Sequence, residues 1–362
     1  MIARCLLLLR CLLPLRYLLL RRLLLLRSPP LLRSLPLLAL IAAHSPVASA
    51  ARANPAAKED QFRAWRYGAT QALIARADAN SLATAAALSF VGAKTESAKA
   101  DPSKTDAAKT ALDLAARASE LAPQNPGIGW LHLRLCADTP SCDIRDVATV
   151  MRWVDADNGA AWLPTLAAAE KDKDATEVDR VLADMARGKR FDLYFNRVVV
   201  LMFDALAGAR NELPGGYATS DAGRFATVDG IATGEIIPPF SPLIDACREP
   251  AAVADRREQC LKLSKTMQRG DTIIAQMAGF SIERRLLAPD SKEARAIGER
   301  RHVLEWRVTE ASKFDAPLLP WLKNARARAR LAQMRSLPRE EDVCIAILKQ
   351  HKMAIAPPEP HT

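Results

Sequence analysis

The chain has 362 residues, enough for one large or two ordinary domains, and only 5% of them are aromatic. Its formal charge of +10 is misleading, because residues 1–50 hold seven Arg and no acid, which leaves 44 basic against 41 acidic residues in the rest. Charge-driven nucleic-acid binding is therefore excluded as a reading. The heavy use of alanine, leucine and arginine predicts an all-α fold.

Residues 1–30 alternate Leu blocks with Arg, with an Arg every four to six residues, so no run is long enough to span a bilayer. This stretch reads as an upstream extension from a misassigned start. A conventional export signal follows. Arg33 supplies the positive end, Leu35 to Ala43 the short apolar region, and Ala48 and Ala50 the small-x-small pattern read by signal peptidase. Cleavage is expected after Ala50, with 1–50 as leader and signal peptide. No lipobox cysteine follows. The expected product is periplasmic or secreted, with no stable membrane span.

From the mature start, helices are expected at about 58–78 and 81–91. An exposed Lys/Ala/Ser-rich insertion over 92–104 should follow, then a helix at 106–121. The segment Leu121-Ala-Pro-Gln-Asn-Pro126 leads into Trp130-Leu131, and Val154-Asp-Ala-Asp-Asn158 leads into Trp162-Leu163. The two Asn are 33 apart and the two Trp 32 apart, and a further 32 residues bring Tyr194, flanked by Phe191 and Phe195. That period is the length of a two-helix repeat. One hairpin cannot bury its apolar face alone, so the next must stack on it. Between the markers, Val178, Val181, Leu182 and Met185 line one helix face, with Asp174 as start cap and Gly188 as end. The helix from Phe191 to Leu206 is apolar on most sides and should be central.

These junctions resemble the tetratricopeptide family, in the inter-repeat turn at 121–126 and in the large residue plus Leu opening each first helix. The Gly and Tyr that the family carries later in that helix are missing, since Trp162 is followed by Leu163-Pro164-Thr165. The likeness covers about a quarter of the chain. The whole chain also resembles uncharacterised exported helical proteins of Gram-negative bacteria. Together these imply antiparallel hairpins over 51–210 stacked as a tetratricopeptide-like solenoid, with two helical lobes as the alternative.

Five cysteines remain beyond the leader. In an oxidising compartment the local pairs are the first expectation, Cys136 with Cys142 and Cys247 with Cys260. Cys344 sits in the apolar run Val343-Cys-Ile-Ala-Ile-Leu348 and reads as buried and inert. No C-x₂-C spacing occurs and the His residues are scattered, so no metal site is expected.

The stretch 211–242 contains Pro214-Gly-Gly216, Gly223, Gly230, Gly234 and Pro238-Pro239. It reads as a Gly/Pro-rich loop or a junction between lobes. No Gly-Lys-Ser/Thr follows Gly215-Gly216, so it is no phosphate loop, and no cofactor is expected. A C-terminal helical region should fill 243–352, with Asp271 capping one helix. Arg326, Arg328 and Arg330 should fan around another, as solvated surface or a small anionic-ligand patch. Residues 353–362 read as a disordered tail.

No catalytic constellation stands out. The leading reading is an exported scaffold that binds a protein or peptide partner in the cell envelope. Its concave face would be lined by the first helix of each hairpin, where Arg134, Glu170 and Asn196 are the exposed positions. The alternatives are a structural assembly subunit or a helical envelope enzyme such as a wall-active hydrolase, for which Glu283, Glu299 and Glu305 are the candidate carboxylates.

Overall fold

The computed structural model describes residues 55–95, 103–215, 218–248, 254–315 and 320–358. The expected leader, the expected cleavage site at Ala48 and Ala50, the middle of the 92–104 insertion and the end of the tail lie outside them. The described residues form fifteen α-helices and no strand, so the fold is all-α.

The first seven helices are α1 (Pro55–Arg76), α2 (Ala79–Thr95), α3 (Ser103–Leu121), α4 (Pro126–Ala137), α5 (Ile144–Val154), α6 (Leu163–Asp172) and α7 (Ala175–Arg187). Each packs against the next. The repeat markers have a local cause. Asn125 caps α4, its side chain accepting from the Gly127 and Ile128 amides. Asn158 caps a 3₁₀ turn at Gly159–Trp162, accepting from the Ala160 amide. An Asn side chain ties up amides that have no partner within the helix, which makes it a strong start signal. Asp174 and Gly188 bound α7 as expected.

The two Trp of the repeat do not end in equivalent places. Trp130 is fully buried and donates its indole N–H to the Ile236 carbonyl at 3.1 Å. Trp162 is half-buried beneath the guanidinium groups of Arg152, 4.1 Å from the ring centre, and Arg180, 5.7 Å away. Pro164 in the first turn of α6 starts that helix after Trp162 rather than before it, so the ring leaves the position that Trp130 holds.

Beyond α7 come α8 (Phe195–Gly208), α9 (Asp221–Glu235), α10 (Ser241–Ala246), α11 (Ala254–Met267), α12 (Ile273–Leu286), α13 (Lys292–Asp315), α14 (Pro320–Ser336) and α15 (Glu340–Gln350). Here nearest-neighbour stacking no longer describes the packing. Helix α8 lies against α1, α2, α4, α9 and α14, while α10 packs on α6 and α11 on α7. Val198, Val199, Leu201, Met202 and Phe203 are all buried, as the apolar sequence of α8 requires of a helix with neighbours on most sides. One continuous apolar cluster runs from Trp65 on α1 to Leu348 on α15.

The expected Gly/Pro-rich loop at 211–242 is corrected by α9. Ser220 caps it, accepting from the Gly223 amide, and Val228, Ile231 and Ala232 are buried. A Cβ added at Gly230 or Gly234 would meet open space, so those glycines sit in the helix without being needed for a turn. Each costs about 1 kcal/mol of helix propensity, and the burial of the α9 face against α8 and α14 outweighs it.

Both local disulfides are present. Cys136–Cys142 closes the turn between α4 and α5, with Cα atoms 5.3 Å apart. Cys247–Cys260 ties the end of α10 to α11, with Cα atoms 5.8 Å apart. Cys344 is buried on α15.

Candidate functional site

The residues expected on a concave face do not form one. Arg134 is only 4% exposed. It donates to the Asp138 carboxylate at 3.4 Å, and Lys94 bridges Asp138 (2.8 Å) and the buried Glu235 (2.7 Å). Two cations thus face two acids, a balanced cluster that joins α2, α4 and α9 and presents no binding face. Asn196 is 3% exposed, and its side-chain amide donates to the Leu337 carbonyl at 3.0 Å. Its role is to hold the turn between α14 and α15. Glu170 is half-buried on α6. Arg328 pairs with Asp221 at 2.7 Å and fastens α14 to α9, so it is not part of an anion patch.

An exposed apolar pair stands on a second helix instead. Helix α5 buries Ala148 and Met151, with Ile144 and Val147 half-buried beside them. On its other side Val150 is 57% and Trp153 73% exposed. These two are three residues apart and are neighbours on the helix surface. The disulfide at the foot of α5 anchors its start.

A cavity of about 520 Å³ opens among α11, α12 and α13. Two of its walls, α11 and α12, cross at close range. A Cβ on Gly279 would meet the Ser264 carbonyl oxygen at 2.7 Å and Met267 Cβ at 2.8 Å, so only glycine permits the approach. The crossing sets Gln268 at the end of α11 against Glu283 on α12, and the carboxamide donates to that carboxylate. Arg300 from α13 lies 3.8 Å from the same carboxylate and 5.8 Å from the Phe280 ring centre. Phe280 and Leu304 form a small apolar cluster beneath. Of the expected carboxylates, Glu283 and Glu299 both line this cavity. Glu305 does not, and pairs with Arg301 at 2.8 Å.

A second polar group is structural. Asp155 accepts from the Tyr194 hydroxyl and from Arg190. Asn158 donates to that hydroxyl at 3.1 Å and to the Asp192 carbonyl at 2.9 Å, and accepts from the Asp192 amide at 2.9 Å. Asp271, expected to cap α12, turns inward and accepts from the Leu193 amide at 2.8 Å. Thr272 caps the helix in its place, accepting from the Ala275 amide. Burial pushes the Asp155, Asp192 and Asp271 carboxyls up, Asp271 most, where the neighbouring charge of Asp192 adds to the effect. These groups are engaged with one another and with backbone, which is how buried polar groups are stabilised.

Among the described residues, no group of three or more His, Cys, Asp and Glu is placed to hold a metal ion. No described helix is long and apolar enough to cross a membrane. No protein-family model, curated protein or solved structure matches the chain.

The exposed Trp153 had a sequence signal that went unused. On a helical wheel of α5, Val150 and Trp153 fall opposite Ala148 and Met151. Gln268 had none, since its partner lies fifteen positions on and is brought near by the helix crossing.

Proposed function

We propose that the protein is an exported α-helical scaffold, periplasmic or secreted, that binds a protein or peptide partner through the outer face of α5. The observation that carries this is Trp153, a large apolar side chain that is mostly exposed on a helix whose opposite face is core. Trp is the residue type most often found to dominate interface energetics, and a rigid mount lowers the entropy cost of docking. The packing of α5 against α4 and α6 supplies that mount. The reading of export rests on the Ala48-Ser-Ala50 pattern and on two disulfides, which persist in oxidising compartments.

Photo-crosslinking in cells tests this. A photoreactive residue at position 153 should give a discrete adduct, and one at the exposed Lys189 should not. The Trp153→Ala variant should bind the adduct partner more weakly by about 2 kcal/mol or more. Equal labelling from both positions, or none from 153, would end the proposal.

The cavity favours a second reading, an envelope hydrolase, because Glu283 and Glu299 line one open cavity. Hydrolysis of cell-wall glycan that is lost in both Glu283→Gln and Glu299→Gln would establish it, and its absence in the native protein would remove it.

A further inference from the structure

The cavity among α11, α12 and α13 carries a charge pattern that its own residues leave incomplete. Gln268 is 8% exposed, and its amide donates to Glu283, while its side-chain oxygen is closed off from solvent. The unmatched groups that a ligand can reach are charges. Two of the four lining cations are matched within the fold, Arg300 by Glu283 and Arg307 by Glu341. The other two, Lys265 and Arg269, stand one helical turn apart at the end of α11 and pair with no carboxylate among the described residues. On the facing helix Glu299 likewise lines the cavity without a cation.

The geometry points to a binding site for a small zwitterion, a molecule that carries an ammonium or other N–H donor next to a carboxylate or phosphate. The oxyanion would lie against Lys265 and Arg269. The N–H group would face the Glu299 carboxylate. Phe280 and Leu304 offer a limited apolar floor for whatever joins the two ends. The volume of about 520 Å³ falls within the usual range for small-molecule sites. This site is separate from the α5 face, and it rests on neither functional reading above.

Calorimetric titration of the purified protein tests this, with two pairs of probes. The first is leucine against 4-methylpentanoate, its amine-free counterpart. The second is O-phosphoethanolamine against ethyl phosphate. The two pairs separate an amino-acid source from a phosphoethanolamine headgroup. At least one zwitterion should bind saturably, and roughly threefold or more tighter than its amine-free counterpart, because only the zwitterion sets a cation against Glu299. Lys265→Ala with Arg269→Ala should abolish binding of that probe. Both side chains are exposed, so an unchanged melting temperature serves as the folding control. Glu299→Gln should reduce the preference for the amine. The proposal is overturned if no zwitterion binds, if the amine-free probes bind equally well, or if the double variant binds like the native protein.

Discussion

The Tyr194 hydroxyl donates to the Asp155 carboxylate across thirty-nine positions of sequence, and so joins the start of α8 to the end of α5. Tyr194 holds a left-handed backbone at φ 56°, a conformation that costs a non-glycine residue energy and persists only where its surroundings hold it. The hydroxyl also accepts from Asn158 at 3.1 Å.

Tyr194→Phe therefore removes a donor from Asp155 and an acceptor from Asn158. It should destabilise the protein by about 1–3 kcal/mol, read as a lower thermal midpoint. A fall no larger than that of Tyr67→Phe, at a mostly exposed tyrosine, would show that the linkage contributes nothing.

The α11–α12 crossing predicts a penalty at a single atom. Gly279→Ala would place its Cβ 2.7 Å from the Ser264 carbonyl oxygen, which belongs to backbone and cannot swing aside. Overpacking of this kind costs typically 1–3 kcal/mol. Gly230→Ala, in open space on α9, should instead stabilise by about 1 kcal/mol. Denaturant unfolding of the two variants should move in opposite directions.

The disulfides contribute unequally. On the loop-entropy model Cys136–Cys142, with six residues of separation, is worth about 2 kcal/mol and Cys247–Cys260, with thirteen, about 3 kcal/mol. Cys247→Ala with Cys260→Ala should therefore lower stability more than Cys136→Ala with Cys142→Ala. Intact mass after alkylation, before and after reduction, should rise by four additional labels. Four labels taken up without reduction would refute both bridges.

The buried carboxyls set the sign of the pH dependence. Burial raises Asp271, Asp192, Asp155 and Glu340 in the folded state. Between the ordinary carboxylate value and the raised one, the folded protein holds more protons than the unfolded chain. Within that window stability falls as pH rises, and above it the loss is constant. Asp221 has the opposite sign, because Arg328 and Arg224 hold its carboxyl down, and its contribution is lost in stronger acid. The thermal midpoint should thus rise from neutral pH toward mildly acidic pH and decline below it. Asp271→Asn should flatten the first limb. An unchanged limb in that variant would remove Asp271 as its source.

The all-α fold, the helix starts at Asn125, Asn158 and Asp174, and both disulfide partnerships were legible in the sequence. Each depends on residues only a few positions apart, where backbone geometry leaves few alternatives. The spacing of Asn125 and Asn158 records where two capping residues recur. What a residue faces once the helices pack was decided by tertiary structure alone. Arg134 and Asn196 sit at helix positions that read as surface, yet α9 covers the first and the α14–α15 turn the second, each about a hundred or more positions away. The glycines of 211–242 read as a loop because local propensity disfavours a helix there, and burial against α8 and α14 outweighs that preference. The cavity has no local signature either. It lies where α11, α12 and α13 meet, and the close approach at Gly279 brings Gln268 and Glu283 together there.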